Sequence, residues 1–361
     1  MPVRIDELAA LVSCESPSAD LTATAACAGV AAQIGTARLG ESPERLIVDG
    51  RTHLRWQFGA ECRVLLLGHL DTVWPGGTLD RWPFDVRGDR ATGPGVFDMK
   101  AGVLQLFDAV SQLDDADGVW ILVTSDEEIG SPTSRSLTEH AVRGAAAALV
   151  FEPSSDGALK IARKGVSQYV LQVAGRAAHA GLEPERGVNA AVEAAHQVLA
   201  IAALGDNGAG TTVTPSVVSA GTVTNTVPAA ASVAVDVRAA TLAEQQRVDA
   251  ALRGLRPRLA GARLSVATAM QVPPFEPGVS RELFTMAREA AADQGLPPLA
   301  GAAVGGGSDG NITAALGIPT LDGLGAVGSH AHAEGEWASL AAMPQRAALA
   351  AELIRRILRQ R

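Results

Sequence analysis

The sequence is poor in cysteine and in aromatic residues. Its three cysteines, Cys14, Cys27 and Cys62, are widely spaced and form no Cys-x-x-Cys pair. We therefore expect reduced thiols, and a cysteine-type structural zinc site is excluded. Aromatic residues make up only 4% of the 361 residues, whereas alanine and glycine are abundant. This composition predicts helices that pack closely through small side chains.

Hydropathy and charge argue against membranes and nucleic acids as partners. No run of about 18 apolar residues is present, so we expect no transmembrane helix. Asp6 and Glu7 interrupt the N-terminal sequence MPVRIDELAALVS before a signal-peptide core can form, which favours a cytoplasmic protein. The formal net charge is −9, whereas nucleic acids and anionic membranes attract basic surfaces.

The length of the chain and its apolar patterns predict two domains. A helical pattern over residues 4–35 is followed by alternating strand and helix patterns, which predict an α/β domain with a mostly parallel sheet. The predicted strands of this domain are residues 64–67, 119–124, 146–151 and 318–321, and its further helices are residues 100–113, 136–141, 281–294 and 340–361.

The middle of the chain has a different order of elements. Strand and helix patterns over residues 165–272 follow one another as βαββαβ, which is the order of a ferredoxin-like module. We therefore predict that residues 165–272 form an inserted domain. The first domain is then discontinuous and comprises residues 1–164 and 273–361.

Histidines and carboxylates follow several of the predicted strands. Because ligands bind beyond the carboxyl ends of strands in such sheets, we expect these residues to meet at one edge. Mixed histidine and carboxylate ligands suit Zn²⁺, Mn²⁺ or Co²⁺, and the number of candidates suggests two ions that activate a water and polarise a carbonyl group. The candidates are His69, Asp71, Asp98, Asp126, Glu127, Glu128, Glu152 and His332.

The motifs around these residues resemble the M20 metallopeptidases, a family that includes glutamate carboxypeptidase, acetylornithine deacetylase and succinyl-diaminopimelate desuccinylase. GHLDTV, GPGVFDMKAG, SDEEIGSPTSR, FEPSS, AAHAGLEPERGVNA and GGGSDGN…GIPTLDGLG occur in the family's order and at its spacings. The resemblance covers nearly the whole chain. It implies a zinc-peptidase-like catalytic domain with an inserted domain that serves dimerisation and covers the substrate.

The resemblance also assigns roles to the candidates. Asp98 resembles a carboxylate that bridges two metal ions, and its peptide bond to Met99 is expected to be cis. Asp71 resembles a residue whose carboxylate accepts the second ring N–H of the first histidine ligand, and Glu127 resembles the general base. The implied ligands are His69 and Glu152 for one ion, Glu128 and His332 for the other, and Asp98 for both.

The last ligand requires a choice between His330 and His332. In the family this ligand precedes, by four or five residues, a glutamate that is followed by an aromatic residue. His332 lies four residues before Glu336, which Trp337 follows, so we favour His332. Whether His330 also takes part is left open.

The inserted domain and two loops supply candidate substrate contacts. His179 resembles a histidine that reaches into the partner subunit's site and stabilises the oxyanion, which implies a homodimer; the alternative is a turn histidine. Arg238 resembles a residue that binds the substrate carboxylate, the alternative being a salt bridge at a strand end. The further candidate substrate-binding residues are Asn225, Lys160, Gly307 and Ser308.

These features predict a dinuclear metal-dependent amide hydrolase that releases a C-terminal amino acid from a peptide or an N-acyl amino acid. An N-acyl-amino-acid deacylase of the acetylornithine deacetylase type is the alternative, and a non-catalytic ligand-binding module is a remote one. Glutamate preference is unsettled. Val272 occupies a position where glutamate-cleaving members tend to carry arginine, whereas Lys160 matches a lysine of that branch.

Overall fold

The computed structural model describes residues 4–360, which form two compact units. The first unit contains the described residues up to Ala162, together with Glu276–Val304 and the residues from Ser308 onward. The second unit comprises Arg163–Phe275 and the short segment Gly305–Gly307.

The helices and strands follow in chain order. The helices are α1 (Ile5–Val12), α2 (Leu21–Leu39), α3 (Ala101–Ser111), α4 (Arg135–Ala141), α5 (Ala190–Ala202), α6 (Leu242–Arg253), α7 (Pro277–Asp293), α8 (Asp309–Ala315) and α9 (Ala342–Arg359). The strands are β1 (Glu44–Val48), β2 (Arg51–Gln57), β3 (Val64–His69), β4 (Asp85–Arg87), β5 (Arg90–Thr92), β6 (Val119–Thr124), β7 (Ala147–Val150), β8 (Leu159–Arg163), β9 (Gly165–Ala174), β10 (Thr212–Ala220), β11 (Ala230–Ala239), β12 (Arg263–Val272), β13 (Gly301–Val304), β14 (Thr320–Leu321), β15 (Gly328–Ser329) and β16 (Trp337–Ser339).

A six-stranded sheet forms the centre of the first unit, in the order β1-β2-β6-β3-β7-β14. Strands β6, β3, β7 and β14 run parallel, which confirms the predicted mostly parallel α/β architecture. All six residues of β3 are buried, as expected for a strand that is covered on both faces. The carboxyl ends of β3, β6 and β7 therefore lie side by side, and each leads into a predicted site residue.

The predicted helix over residues 4–35 is wrong, because the structure divides this region into α1 and α2. The Asp20 carboxylate accepts the backbone N–H groups of Thr22 and Ala23 and so begins α2 with a side-chain cap. The chain before it, SCESPSA, contains serines and a proline that favour such a break. This break matters for the site because Ser18 lies within it.

The second unit has the predicted order of elements: β9, α5, β10, β11, α6 and β12. Its four strands form an antiparallel sheet in the order β10-β11-β9-β12. Alternate residues of β9 and β11 are buried against the two helices. Among the described residues, no helix has the length and apolar character that are needed to cross a membrane.

Candidate metal centre

His69 ends the buried strand β3 and is itself 1% exposed. Its Nδ1 lies 2.9 Å from the backbone carbonyl oxygen of Asp71, and a carbonyl can only accept, so Nδ1 carries the proton. The lone pair of Nε2 is then available to a ligand. The predicted acceptor was the Asp71 carboxylate, whose Oδ1 lies farther away, at 3.6 Å from Nδ1.

The Asp71 carboxylate has other donors, which explains this difference. It accepts the Ser18 hydroxyl at 2.7 Å and the backbone N–H groups of Glu127 and Glu128, both at 3.2 Å. Asp71 is fully buried. It therefore holds the turn after β6, which carries two of the predicted site acids, against the end of β3.

Asp98 faces two histidines with its two oxygens. Its Oδ1 lies 3.3 Å from Nε2 of His69, and its Oδ2 lies 3.4 Å from Nε2 of His332. The peptide bond between Asp98 and Met99 is cis, as the resemblance implied. Burial raises the pKa of Asp98, but the adjacent imidazoles of His332 and His69 outweigh it and lower the pKa well below its ordinary range.

The three predicted glutamates surround the same two imidazoles. Glu152 Oε1 lies 3.4 Å from Nε2 of His69, and Glu127 Oε2 lies 3.9 Å from the same nitrogen. Glu128 Oε1 lies 3.1 Å from Nε2 of His332. Donor atoms lie within 4.8 Å of one another in two overlapping groups, His69–Glu127–Glu152 and His69–Asp98–Glu128.

The residues fit a pair of divalent cations. Nε2 of His69 and Oδ1 of Asp98 are both buried without a hydrogen-bond partner, and buried polar atoms are rarely left in that state. Four carboxylates also converge on only two imidazoles. Imidazole and carboxylate donors in this number suit Zn²⁺, Mn²⁺ or Co²⁺.

The crowding of carboxylates raises the pKa values of both histidines and of Glu127. Burial lowers the pKa of His69, but Asp98 and Glu152 raise it well above 6.5. Asp98 and Glu128 raise the pKa of His332 to about 10. Burial and the charge of Glu152 raise the pKa of Glu127 well above its ordinary value.

Of the two candidate histidines, the structure places His332 beside Asp98 and Glu128. Both His330 and His332 have positive φ angles, 67° and 62° respectively. The side chain of His330 is exposed, and its carbonyl accepts the N–H of Ala333. The turn that these two residues form directs the second imidazole to the cluster.

Three of the predicted substrate contacts lie in the Arg163–Phe275 part of the second unit. His179 is exposed, and its Nδ1 accepts the N–H groups of Gly181 and Leu182 at 3.1 and 3.2 Å. The proton of a neutral His179 is therefore on Nε2, which can donate. Asn225 accepts the N–H of Ala180 through its carbonyl, so it adjoins the His179 turn.

Arg238, on β11, is engaged within the second unit. It makes two parallel hydrogen bonds to Asp236, at 2.9 and 3.0 Å. This is the salt bridge that was the alternative to a role in substrate binding. Both side chains remain about one-third exposed.

Of the remaining candidates, Lys160 lies on β8, Ser308 directly precedes α8, and Gly307 belongs to the short Gly305–Gly307 segment of the second unit. Lys160 Nζ lies 3.7 Å from Oε2 of Glu152. The Ser308 hydroxyl donates to Asp322 at 2.7 Å and accepts the N–H of Gly310, so it caps α8. The carbonyl of Gly307 accepts a hydrogen bond from Arg163 at 3.0 Å.

A buried network behind the Glu127–Glu128 turn was not predicted. The Asp126 carboxylate accepts the N–H and hydroxyl of Thr133, at 2.7 and 2.6 Å, and the N–H and hydroxyl of Ser134. Since the Thr133 hydroxyl donates to Asp126, it accepts from Nε2 of His53 at 2.9 Å. Burial lowers the pKa of His53, consistent with a neutral ring. The only sequence signal was the position of Asp126 after a strand.

Comparison with known proteins shows the family to which the chain belongs. Residues 65–356 match the sequence profile of peptidase family M20/M25/M40. Carboxypeptidase G2 of Pseudomonas sp. (strain RS-16) is 33% identical over 309 residues, which cover 81% of this chain and 73% of that protein. Acetylornithine deacetylase of Pasteurella multocida (strain Pm70) is 33% identical over 144 residues, 37% of this chain and 36% of that one.

The fold has counterparts among solved structures. The aminopeptidase PepT from Bacillus cereus ATCC 10987 superimposes with a TM-score of 0.76 at 22% identity, covering 98% of both chains. The family profile spans most of the sequence, and the carboxypeptidase G2 likeness spans four-fifths of it. The chain therefore belongs to peptidase family M20/M25/M40 and is a metal-dependent hydrolase.

Proposed function

We propose that this hydrolase holds two divalent metal ions and releases a C-terminal amino acid from a peptide or an N-acyl amino acid. The observation that carries the proposal is the arrangement of Asp98, whose two oxygens face two different imidazoles. One carboxylate between two sets of donors suits a bridge between two cations.

Each ion has its own donors in this proposal. His69 and Glu152 would hold one ion, Glu128 and His332 would hold the other, and Asp98 would contribute to both sites. Zn²⁺ is the favoured ion, with Co²⁺ or Mn²⁺ as alternatives. When bound, the pair supplies Lewis-acid polarisation of the scissile carbonyl and lowers the pKa of an attacking water.

Glu127 is the proposed general base. Its backbone N–H donates to Asp71. Its carboxylate lies 3.9 Å from Nε2 of His69, farther than the carboxylates of Asp98 and Glu152, which lie 3.3 and 3.4 Å from the same nitrogen. In the proposed reaction Glu127 takes a proton from the attacking water as the C–O bond forms. It then delivers that proton to the amine nitrogen as the C–N bond breaks.

His179 is the proposed stabiliser of the oxyanion. Its Nδ1 is occupied by two backbone N–H groups, so its Nε2–H is the group that can donate. This tautomer is the one that an oxyanion requires. Asn225, Arg238, Lys160, Gly307 and Ser308 are the further proposed substrate contacts, and binding through Arg238 would require it to share or exchange Asp236.

The carboxypeptidase activity is favoured over the deacylase activity by the extent of the similarity. The likeness to carboxypeptidase G2 covers 81% of the chain, whereas the likeness to acetylornithine deacetylase covers 37%. Preference for glutamate is not part of the proposal. Val272 supplies no positive charge and is 8% exposed, although the positively charged Lys160 lies 3.7 Å from Glu152.

The test is a panel of dipeptides and N-acyl amino acids that differ independently in C-terminal residue and acyl group, assayed by amine release. We expect turnover that is abolished by EDTA, restored by Zn²⁺, Co²⁺ or Mn²⁺, and dependent mainly on the C-terminal residue. Dependence mainly on the acyl group would favour the deacylase instead. Turnover that survives full metal depletion would contradict the proposal.

The first variant to test is Glu127→Ala, with Glu282→Ala on the exposed surface of α7 as the matched control. We expect Glu127→Ala to keep both metal ions and to lose about 10²–10⁴-fold in kcat, because a general base is removed. The control should retain full activity. Undiminished turnover in Glu127→Ala would rule out Glu127 as the general base. Absence of turnover in the parent protein itself would favour the ligand-binding alternative.

A further inference from the structure

Glu336 is a buried acid that the proposed reaction does not use. Its side chain is 0% exposed. Oε1 accepts the backbone N–H groups of Phe97 and Asp98, at 2.8 and 2.9 Å. Oε2 accepts the backbone N–H of Gly95 at 3.1 Å and the indole N–H of Trp74 at 3.0 Å. Four donors thus converge on one carboxylate.

These donors belong to separate segments that supply the metal centre. Gly95 and Phe97 precede Asp98 directly, so they fix the backbone from which that carboxylate projects. Trp74 lies on the turn that follows His69 and Asp71. Glu336 itself lies four residues after His332. One carboxylate therefore joins the three segments that carry the two histidines and the carboxylate between them.

The backbone conformation of the segment before Asp98 is restricted at Gly95. Gly95 has a φ of 74°, and a Cβ at this position would lie 2.5 Å from Cγ2 of Thr72. Only glycine adopts this conformation without strain, and only glycine fits this space. The segment is thus held both by packing against Thr72 and by the hydrogen bonds to Glu336.

We propose that Glu336 is a positioning residue of the metal centre, which holds Asp98 at the position where its two oxygens meet both ions. This inference rests on the proposed function, because it takes Asp98 as the bridge. Groups that orient metal ligands typically change metal affinity or activity by about 10–100-fold when they are altered.

The informative variant is Glu336→Gln, which keeps the shape but replaces one acceptor oxygen by an NH₂ group. If the amide oxygen accepts the N–H groups of Phe97 and Asp98, the amide NH₂ faces the backbone N–H of Gly95 and the indole N–H of Trp74. Two donors would then lose their acceptor. The matched control is Glu334→Gln, since Glu334 is exposed two residues away and pairs with Arg81.

The experiment titrates metal-free full-length protein with Zn²⁺ against a chromogenic chelator, and records the visible absorption of the Co²⁺-loaded protein. We expect Glu336→Gln to raise the metal dissociation constants by about 10–100-fold and to change the Co²⁺ spectrum. Glu334→Gln should match the parent in both measurements. Excess metal should restore part of the activity of Glu336→Gln.

A second variant separates positioning from general stabilisation. Trp74→Phe alone removes one donor to Glu336 and should weaken metal binding slightly. In combination with Glu336→Gln the same change removes a donor–donor conflict, so the double variant should bind metal more tightly than Glu336→Gln. If Glu336 and Trp74 contribute only general stability, the double variant should bind metal more weakly than Glu336→Gln.

The outcomes distinguish this inference from the function on which it rests. If the parent protein binds no divalent metal, the proposed function fails and this inference fails with it. If the parent binds two ions and Glu336→Gln binds them with equal affinity and an unchanged Co²⁺ spectrum, only the role of Glu336 is overturned. Should Glu336→Gln fail to fold, an unchanged affinity in Trp74→Phe overturns it.

Discussion

Thr133 is the residue on which the network behind the Glu127–Glu128 turn depends. Its hydroxyl donates to Asp126 and accepts from His53, so it occupies the middle of a three-residue chain. All three side chains are buried. Each therefore relies on the others, because a buried donor or acceptor that loses its partner keeps its full desolvation cost.

We expect Thr133→Val to lower the free energy of unfolding by about 1–3 kcal/mol, since it removes the hydroxyl at constant shape and leaves the ring N–H of His53 unpaired. Equilibrium denaturation in urea measures the loss. Thr285→Val is the control, because Thr285 is exposed on α7 and bonds only locally to Arg281. Equal effects of the two substitutions would contradict the importance of the buried network.

At the residue scale the sequence predicted which side chains meet, but not all that they contact. His69, Asp98, Glu128, Glu152 and His332 were predicted from strand ends and motifs, and the structure brings them together. The hydrogen bonds to the Asp71 carboxylate and to Glu336 were not predicted. The donors to Asp71 lie more than 50 residues from it in the sequence, and the donors to Glu336 lie more than 230 residues from it. No local sequence spacing encodes such contacts.

At the scale of elements, Glu193 on α5 connects its helix to the chain that follows α6. It is fully buried, and its carboxylate accepts Gln197 Nε2 and the backbone N–H groups of Arg258 and Leu259, the shortest at 2.7 Å. Burial raises the pKa of Glu193, but these hydrogen bonds outweigh it and lower the pKa below its ordinary value.

Glu193→Gln should therefore destabilise the second unit in a pH-dependent way. Because the folded-state pKa is lowered, the ionised carboxylate stabilises the fold above the ordinary pKa of about 4.3 and loses this contribution as the pH falls through the folded-state value. We expect a loss of about 1.5–3 kcal/mol at pH 7 that shrinks below pH ~4.

Denaturant unfolding of the parent and Glu193→Gln at both pH values measures this difference. Glu185→Gln is the control, because Glu185 is exposed in the same unit. A stability difference between parent and Glu193→Gln that grows on acidification would contradict the assigned role of the ionised carboxylate.

Elements with a buried apolar pattern were predictable, and elements with polar buried residues were not. The strand over residues 119–124 was predicted with its observed bounds, since nearly all its residues are apolar and buried. The edge strand β1 and its neighbour β2 were missed. β2 reads RTHLRWQ, so its sequence lacks the apolar pattern of a buried strand. Arg51, Thr52 and His53 are nevertheless buried, because hydrogen bonds to other segments satisfy their polar groups.

At the scale of the whole molecule, the second unit has an apolar surface that suits a second copy of the chain. Val217 and Val218 are 63% and 53% exposed on β10, which is an edge strand of its sheet. Leu199 is 73% exposed on α5. A free edge with neighbouring apolar side chains is a typical pairing surface. The homodimer that the family resemblance implies would cover the edge of β10 and these apolar side chains.

We expect the parent protein to elute as a dimer of the 37.0 kDa chain, and the double variant Val217→Glu/Leu199→Glu to elute as a monomer. Size-exclusion chromatography with light scattering measures the mass. The monomer should also lose activity, because the proposed oxyanion group His179 would come from the partner. Leu316→Glu, at an exposed leucine of the first unit, is the control. A monomeric parent protein would contradict the homodimer.

The inserted unit begins and ends at one point of the chain. Arg163 and Phe275 exchange two backbone hydrogen bonds, each 2.9 Å long, so the entry and the exit of the insertion are adjacent. Everything between these two residues can consequently vary in length without stretching the chain on either side.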